Sequence, residues 1–235
     1  MTILRNPRTN TIESTDSQIT IGGTGGVSFS FPSADGTNGQ ALVTDGAGVL
    51  SFASAGPGSD EWEGLSSQTA SAVANIDFTL SAGFRAFRVY FFNVIPVNND
   101  VGFFVRVSND GGSSFLVGGG YRSAANGSDS LVATETEGAH NLGFWGLTED
   151  ASINRGVGNA ANEGATGVFH ITKPLEATLR TRMFGQIQYT SAANTEWIFM
   201  FGGAHNTIET HNAIRFLFQS GNISSGEFVL QGLKN

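Results

Sequence analysis

The sequence contains no cysteine, only five prolines, and charged residues at just 14% of its 235 positions. Without cysteine, neither a disulfide framework nor a thiolate metal site can form. No window is apolar over the length that a membrane-spanning helix needs, and the polar segment of residues 1–18 lacks the apolar core of a secretory signal. We therefore expect a soluble protein that is not exported by a standard signal.

The few charged residues are mostly acidic, which gives the chain a formal net charge of -8 at pH 7. Such a balance argues against binding nucleic acid through a basic face. It also argues against adsorption to anionic membrane surfaces. We expect no nucleic-acid partner and no membrane insertion.

The abundant residues are glycine and phenylalanine, with 32 and 19 copies. Glycine at roughly twice its usual share predicts many tight turns, because the sequence has neither a collagen-like period nor much proline. Phenylalanine at this level predicts a hydrophobic interior. A chain of this length can bury one core and carry a small appendage.

From about residue 61 to the C terminus, apolar and polar residues alternate with the period of two that is typical of β-strands. In the clearest case the residues of one parity are Leu179, Met183, Ile187 and Tyr189, with arginines and glutamines on the other. Runs of this kind predict an all-β domain over residues 61–235, an antiparallel two-sheet sandwich of the jelly-roll type. The predicted strands are 74–80, 85–94, 101–108, 116–121, 130–136, 167–172, 178–189, 196–201, 213–220 and 226–232.

Two segments of this domain lack the strand pattern. Residues 66–75 are the best candidate for a helix, but they are rich in Ser and Ala and show no apolar stripe. Residues 137–166 are polar with little periodicity, which predicts a long loop of the kind that is usually functional or mobile.

The first 56 residues are predicted to form a separate unit, joined to the sandwich by a linker at residues 57–60. Two short apolar runs, 40–44 and 49–53, flank an Asp-Gly pair. This pattern predicts a β-hairpin, because glycine supplies the positive φ that a tight hairpin turn needs. An isolated hairpin is marginally stable in water, so we expect its apolar face to contact copies of itself or a neighbouring protein. The residues assigned to this attachment and oligomerisation face are Val27, Phe29, Phe31, Leu42, Leu50 and Phe52.

Three blocks of the sequence resemble virion proteins of tailed bacteriophages. The block PSADGTNGQALVTDGAGVLSF, residues 32–52, resembles a hairpin module near the N-terminal end of phage fibres and related virion proteins. The blocks RVSNDGGSSF, residues 106–115, and GNISSGEFVLQGL, residues 221–233, resemble segments of β-sandwich domains in such proteins. The resemblance implies a homotrimeric structural protein, assembled in the host cytoplasm into the virion. Its N-terminal region would attach to other capsid or tail proteins, with the sandwich displayed outward.

Two patterns that can carry chemistry have simpler explanations. Residues 108–115 fit an Asp-box, in which an aspartate caps a hairpin. A β-propeller needs one Asp-box in each of its several blades, and this chain has a single copy, so we predict a tight hairpin only.

His205, Glu209 and His211 can offer two imidazoles and a carboxylate, but their spacing fits neither a helical nor a strand zinc site. We expect a solvated loop there, with no metal and no cofactor.

Pairs of carboxylates are expected to be solvent-facing charge rather than catalytic groups. The pairs in question lie at Asp60, Glu61 and Glu63 and at Glu149 and Asp150. We therefore predict no catalytic residues.

Three aromatic residues in polar segments, Trp62, Phe144 and Trp145, are candidates for ligand contact. Their rings can stack on sugar faces or fill a protein interface, and Trp145 can equally close one end of the sandwich core. The leading expectation is a non-enzymatic virion protein: a short fibre, a spike or a capsid decoration protein. The alternative is a carbohydrate-binding domain of a phage tail that recognises a host surface glycan, and a polysaccharide-cleaving enzyme is the weakest of the three.

Overall fold

The computed structural model describes residues 4–6, 11–13, 18–21, 27–30, 32, 34, 36–38, 40–47, 49–54, 62–130, 134–148 and 155–235. The chain divides into two compact units, Met1–Gly58 and Ser59–Asn235. Every regular element among the described residues is a β-strand, as the alternation predicts, and none of them belongs to a helix able to cross a membrane. The strands are β1 (Leu4–Asn6), β2 (Thr11–Glu13), β3 (Gln18–Ile21), β4 (Val27–Ser30), β5 (Gln40–Thr44), β6 (Leu50–Ser54), β7 (Trp62–Val73), β8 (Ile76–Thr79), β9 (Phe84–Pro96), β10 (Phe103–Ser108), β11 (Tyr121–Asp129), β12 (Thr134–Leu142), β13 (Trp145–Gly146), β14 (Gly164–Thr172), β15 (Arg182–Thr190), β16 (Glu196–His205), β17 (Ala213–Phe218) and β18 (Ile223–Lys234).

The first unit consists of antiparallel strand pairs, β1 with β2, β3 with β4, and β5 with β6. The turn between β5 and β6 forms as its sequence predicts. Gly46 has a φ of 80°, and the Asp45 carboxylate accepts hydrogen bonds from the backbone N–H groups of Ala47 at 2.8 Å and Val49 at 3.0 Å. The carboxylate thus replaces backbone partners that the turn leaves out.

The second unit contains two antiparallel sheets. The large sheet has eight strands in the order β12-β11-β16-β15-β14-β9-β18-β7, and the small sheet has four in the order β13-β10-β17-β8. The predicted two-sheet sandwich is therefore confirmed.

The path of the chain between the two sheets is that of a jelly roll. Successive strands alternate between sheets, so that β7, β18, β9 and β14 of the large sheet face β8, β17, β10 and β13 of the small one. Two hairpins, β11–β12 and β15–β16, add four further strands to the large sheet beyond β14. The large sheet is therefore twice as wide as the small sheet.

The core lies between the sheets and is rich in phenylalanine. Phe91 on β9, Phe103 on β10, Phe216 on β17 and Phe228 on β18 are fully buried, and their ring centroids lie 5.5–6.5 Å apart. Aromatic rings at these separations gain from edge and offset contacts in addition to the burial of their area. These four phenylalanines thus form one continuous layer between the sheets.

The predictions for residues 116–121, 130–136 and 137–166 are wrong. Residues 116–120 form a loop rather than a strand, because Gly118, Gly119 and Gly120 have no side chains to pack on a sheet. Ser130, at the start of the predicted strand 130–136, is a turn residue, and β12 begins only at Thr134. Residues 66–75 form no helix, as their missing apolar stripe indicates, and lie mostly in β7, which is held by its pairing with β18. The expected loop of residues 137–166 includes the end of β12, all of β13 and the start of β14. The polar strands β7 and β12 are the two edges of the large sheet.

The predicted alternation over residues 178–189 is confirmed only within β15. Met183, Ile187 and Tyr189 are buried, and Arg182 and Gln186 are exposed. Leu179 precedes the strand and is 45% exposed. It does not belong to the core.

Candidate assembly surface

The face of the large sheet that points away from the small sheet carries exposed apolar side chains. Ile198 and Met200 on β16 are 55% and 66% exposed, and Phe184 on β15 is 50% exposed. They alternate with core residues, because successive side chains of a strand point to opposite faces. We call this side of the large sheet the outer face.

One row of residues crosses the outer face without a formal charge. Strand register places these side chains opposite one another on five neighbouring strands. The row is Met200, Gln186, Val168, Tyr90 and Val229. It resembles a core row more than a solvated one, since solvated sheet faces are usually polar.

A second row is built from rings. Phe184 stacks on His170 with centroids 4.6 Å apart and an interplanar angle of 3°. His170 meets the edge of Trp62 at 5.9 Å, and the Arg88 guanidinium lies 4.2 Å above the Trp62 ring. Burial, followed by the charge of Arg88, lowers the pKa of His170 below its ordinary value of 6.5. The imidazole is therefore neutral at pH 7 and suited to stacking.

The ring row continues toward the far end of β9. The Arg88 guanidinium also lies 5.0 Å from the Tyr90 ring, and Tyr90 stacks on Phe92 at 6.2 Å. Arg88 donates a hydrogen bond from Nε to Gln231 Oε1 at 2.7 Å, which fixes its orientation. The one cation of this row thus lies within cation–π distance of two rings.

A shallow groove opens on the outer face where β11, β15 and β16 meet. Its lining includes the large apolar residues Phe184 and Met200, the buried Phe201 and the small residues Ala124 and Gly185. Gly185 is required there, because a Cβ at this position would lie 2.7 Å from the Phe201 ring. A groove with such walls suits an apolar side chain of a partner rather than a charged ligand.

Three of the assigned hairpin residues, Leu42, Leu50 and Phe52, share one face of the β5–β6 hairpin. Leu42 lies opposite Phe52 across β5 and β6, and Leu50 is on the same side of the hairpin. Leu42 is 45% exposed, whereas Leu50 and Phe52 are half-buried. Val27 and Phe29 lie on β4, and Phe31 is outside the described residues.

The three candidate aromatic residues have different positions. Trp62 is half-buried on the outer face, as described above. Phe144 is half-buried and stacks on Phe104, with centroids 3.7 Å apart. Trp145 is fully buried between Tyr121, at 5.1 Å, and Phe169, at 6.2 Å. Of the two interpretations of Trp145, ligand contact and core packing, core packing is correct, because no ligand can reach the ring in the folded domain.

The Asp-box residues form a capped turn after β10. The Asp110 carboxylate accepts hydrogen bonds from Ser114 N at 2.9 Å, Ser114 Oγ at 2.6 Å and Ser108 Oγ at 2.7 Å. These bonds, those of Ser114 first, lower the pKa of Asp110 to about 2. The predicted capping is confirmed, but the segment after the turn returns as a loop, not as a strand.

The loop after the Asp-box is fixed by Tyr121. Its hydroxyl donates to the Leu116 carbonyl at 2.9 Å and accepts from Val107 N at 3.0 Å. Burial raises the pKa of this phenol to about 12. Both bonds are structural, so this end of the sandwich is rigid.

The histidine segment is not the solvated loop that its sequence suggests. His205 ends β16 and is 3% exposed, and His211 precedes β17 and is fully buried. Glu209 lies between them in sequence and is partly exposed. Burial lowers the pKa of His211 to about 4 and also lowers that of His205, whereas a hydrogen bond from Thr207 lowers the pKa of Glu209. The loop therefore brings two neutral imidazoles to one carboxylate, a grouping that linear spacing did not reveal.

The carboxylate pairs give no described cleft. Glu63 forms an ion pair with Lys234 at 3.0 Å. Asp60, Glu61, Glu149 and Asp150 are outside the described residues.

Sequence reasoning missed the outer face, although a signal was present. Residues 197–201 read WIFMF, which is apolar at both parities rather than at one. Such a run is typical of a strand that is covered on both faces. No family model, curated protein or solved structure matches the chain, so its function has to be inferred from these surfaces.

Proposed function

We propose that this protein is a non-enzymatic structural component of a bacteriophage virion, such as a short fibre, a spike or a capsid decoration protein, that assembles as a homotrimer. The first unit attaches the protein to capsid or tail proteins. The jelly roll is displayed outward, with its outer face against neighbouring copies. The observations that support the proposal most are the exposed apolar side chains and the uncharged row on the outer face of the large sheet.

The physical argument begins with the cost of that face in water. Ile198, Met200 and Phe184 each leave half or more of their surface exposed, and they are neighbours on adjacent strands. Contiguous apolar patches of several hundred Å² on an otherwise ordinary surface mark interaction sites. In a threefold-symmetric assembly each copy places this face against another surface of its neighbour, so the patch is covered in all copies at once.

The size of the outer face fits a protein partner better than a small ligand. It extends over six strands from β16 to β7, with rings at both ends. Stable protein interfaces bury about 800 Å² on each partner and concentrate aromatic residues and arginine in their centres. The ring row of Trp62, Arg88 and Tyr90 has that composition. The copy number of three and the virion location come from the resemblance of residues 32–52, 106–115 and 221–233.

A mass measurement and particle labelling test the proposal together. Sedimentation of the full chain should give three times the chain mass of 24.6 kDa at micromolar concentration. Labelled protein should be found on intact particles, and deletion of residues 1–56 should abolish its incorporation. A monomer in solution would refute the trimer, and full incorporation of the truncated chain would refute attachment through the first unit.

Glycan recognition is the alternative that one observation favours. Trp62 presents a partly exposed ring beside polar partners, Arg88 and Gln231, and rings with polar neighbours stack on sugar faces. A glycan array probed with residues 59–235, which form their own compact unit, decides between the two. Specific binding that is lost in Trp62→Ala would favour an adhesin.

A further inference from the structure

The loop of residues 206–212 gathers three metal-binding side chains at one end of the sandwich. Backbone hydrogen bonds fix both of its ends: His205 N donates to the Thr181 carbonyl at 2.9 Å, and His211 N donates to the Pro174 carbonyl at 2.6 Å. One ligand atom from each of His205, Glu209 and His211 lies within 4.8 Å of the other two. The strands on either side, β16 and β17, belong to different sheets, so the site joins the two layers.

His211 carries a buried nitrogen that lacks a partner. The side chain is fully buried, and its Nδ1 lies 2.7 Å from Thr181 Oγ1. Nε2, the other nitrogen, makes no hydrogen bond, and Glu209 Oε1 lies 3.5 Å away. A buried polar atom without a hydrogen bond destabilises the folded state, so a protein normally supplies a partner. Here the atom points at a carboxylate across a gap that suits a metal ion.

The distances fit tetrahedral zinc after small side-chain rotations. Zinc–ligand bonds of about 2.0–2.1 Å place neighbouring ligand atoms roughly 3.3–3.5 Å apart. The separation of His211 Nε2 from Glu209 Oε1 is 3.5 Å, and that of His205 Nδ1 from Glu209 Oε1 is 4.0 Å. The Thr207 hydroxyl is hydrogen-bonded to both His205 Nδ1 and Glu209 Oε1. When a zinc ion binds these two atoms in place of the hydroxyl, the Thr207 side chain has to rotate away from them.

Further side chains orient the ligands from behind. Thr181 holds His211 through Nδ1, and Asn109 Nδ2 donates to Glu209 Oε2 at 2.9 Å. Metal-binding histidines and carboxylates usually have such outer partners, which fix the ring tautomer and the carboxylate orientation. A donor set of two imidazoles and one carboxylate favours zinc over magnesium or calcium, which prefer oxygen ligands.

We propose that His205, Glu209 and His211 bind a zinc ion, which fastens the 206–212 loop to the end of the sandwich. The expectation from sequence of no metal here rested on linear spacing and on the polar character of the segment. The inference goes beyond the proposed function and does not depend on it, because it concerns the stability of the displayed domain and not its location.

The test uses the full chain after removal of metals with a chelator. Calorimetric titration with zinc should show one equivalent per chain and a rise in the thermal unfolding midpoint, and cobalt should give the absorption of a tetrahedral site. Glu209→Gln preserves size at a partly exposed position and should weaken zinc affinity at least about tenfold. His170→Gln, which removes a histidine from the outer face, is the matched control and should bind zinc as the wild type does. Absence of zinc binding by the wild type would overturn the proposal, as would equal affinities of wild type and Glu209→Gln.

Discussion

Replacing the two most prominent side chains of the groove tests whether the outer face holds copies together. The variant is Phe184→Thr with Met200→Thr, which keeps residues that favour strands and leaves the core side of both strands unchanged. Phe184 and Met200 are 50% and 66% exposed, so their replacement should leave the isolated fold intact. We expect a folded protein that self-associates more weakly.

The size of the effect follows from the exposed area. An aromatic or similarly large side chain presents roughly 200 Å² in full, so these two leave roughly 100 Å² each to be covered by a partner. At about 25 cal/mol per Å², complete coverage is worth ~5 kcal/mol at each interface. If contact covers about half of this area, the loss is ~2–3 kcal/mol, or about two decades in the dissociation constant.

Sedimentation equilibrium over a range of protein concentrations measures that constant directly. Val117→Thr serves as the control, because Val117 is 66% exposed like Met200 but lies in the loop before β11. The control should assemble as the wild type does. If the double variant has the wild-type dissociation constant, the outer face is not the interface and the reasoning from exposed area fails.

Three further predictions concern the fold. Phe103→Ala should cost ~3–5 kcal/mol of unfolding free energy in urea titrations, because the ring is fully buried among other phenylalanines. Gly203→Ala should destabilise β16, measured by thermal unfolding, because a Cβ there would collide with the Arg122 carbonyl oxygen. Asp110 has a pKa of about 2 in the folded protein against 3.8 ordinarily. Its ionised carboxylate therefore contributes to the free energy of unfolding above pH 4, and this contribution is lost as the pH falls toward 2. The difference in stability between wild type and Asp110→Asn should therefore shrink over that range and stay constant from pH 5 to 7.

Much of the fold could be predicted because the central strands carry their pattern locally. β9, β10, β14 and β17 place large apolar residues at one parity, and the opposite sheet of the sandwich covers that side. The Asp45–Gly46 turn was equally predictable, since its geometry depends on two adjacent residues.

The edge of the large sheet could not be predicted in the same way. β7 (Trp62–Val73) contains Ser, Gln, Thr and Ala at both parities, and only Ala70 is buried. Its stability comes from the long antiparallel pairing with β18, which is distant in sequence. A window on residues 66–75 contains none of that information, so the segment looked like a poor helix.

The histidine cluster escaped prediction for a related reason. His205 and His211 are separated by five residues, which matches no regular element, and they meet because a loop closes between two sheets. His205 packs against Tyr121 and Trp145, whose rings lie 4.8 Å and 6.4 Å away, and His211 packs against His205 at 4.6 Å. A site built at the junction of separate strands leaves no linear spacing to recognise.

The apolar outer face lies on strands that the jelly roll itself does not require. Phe184, Ile198 and Met200 all belong to the β15–β16 hairpin, which extends the large sheet past β14. A two-layer sandwich buries one face of each sheet, so an added strand that is apolar at both parities needs a third layer. Among the described residues of the second unit, no strand or loop supplies that layer over Ile198 and Met200, which stay more than half exposed. A neighbouring copy of the chain supplies it in the proposed trimer, and the inserted hairpin is then the part of this jelly roll that is specialised for assembly.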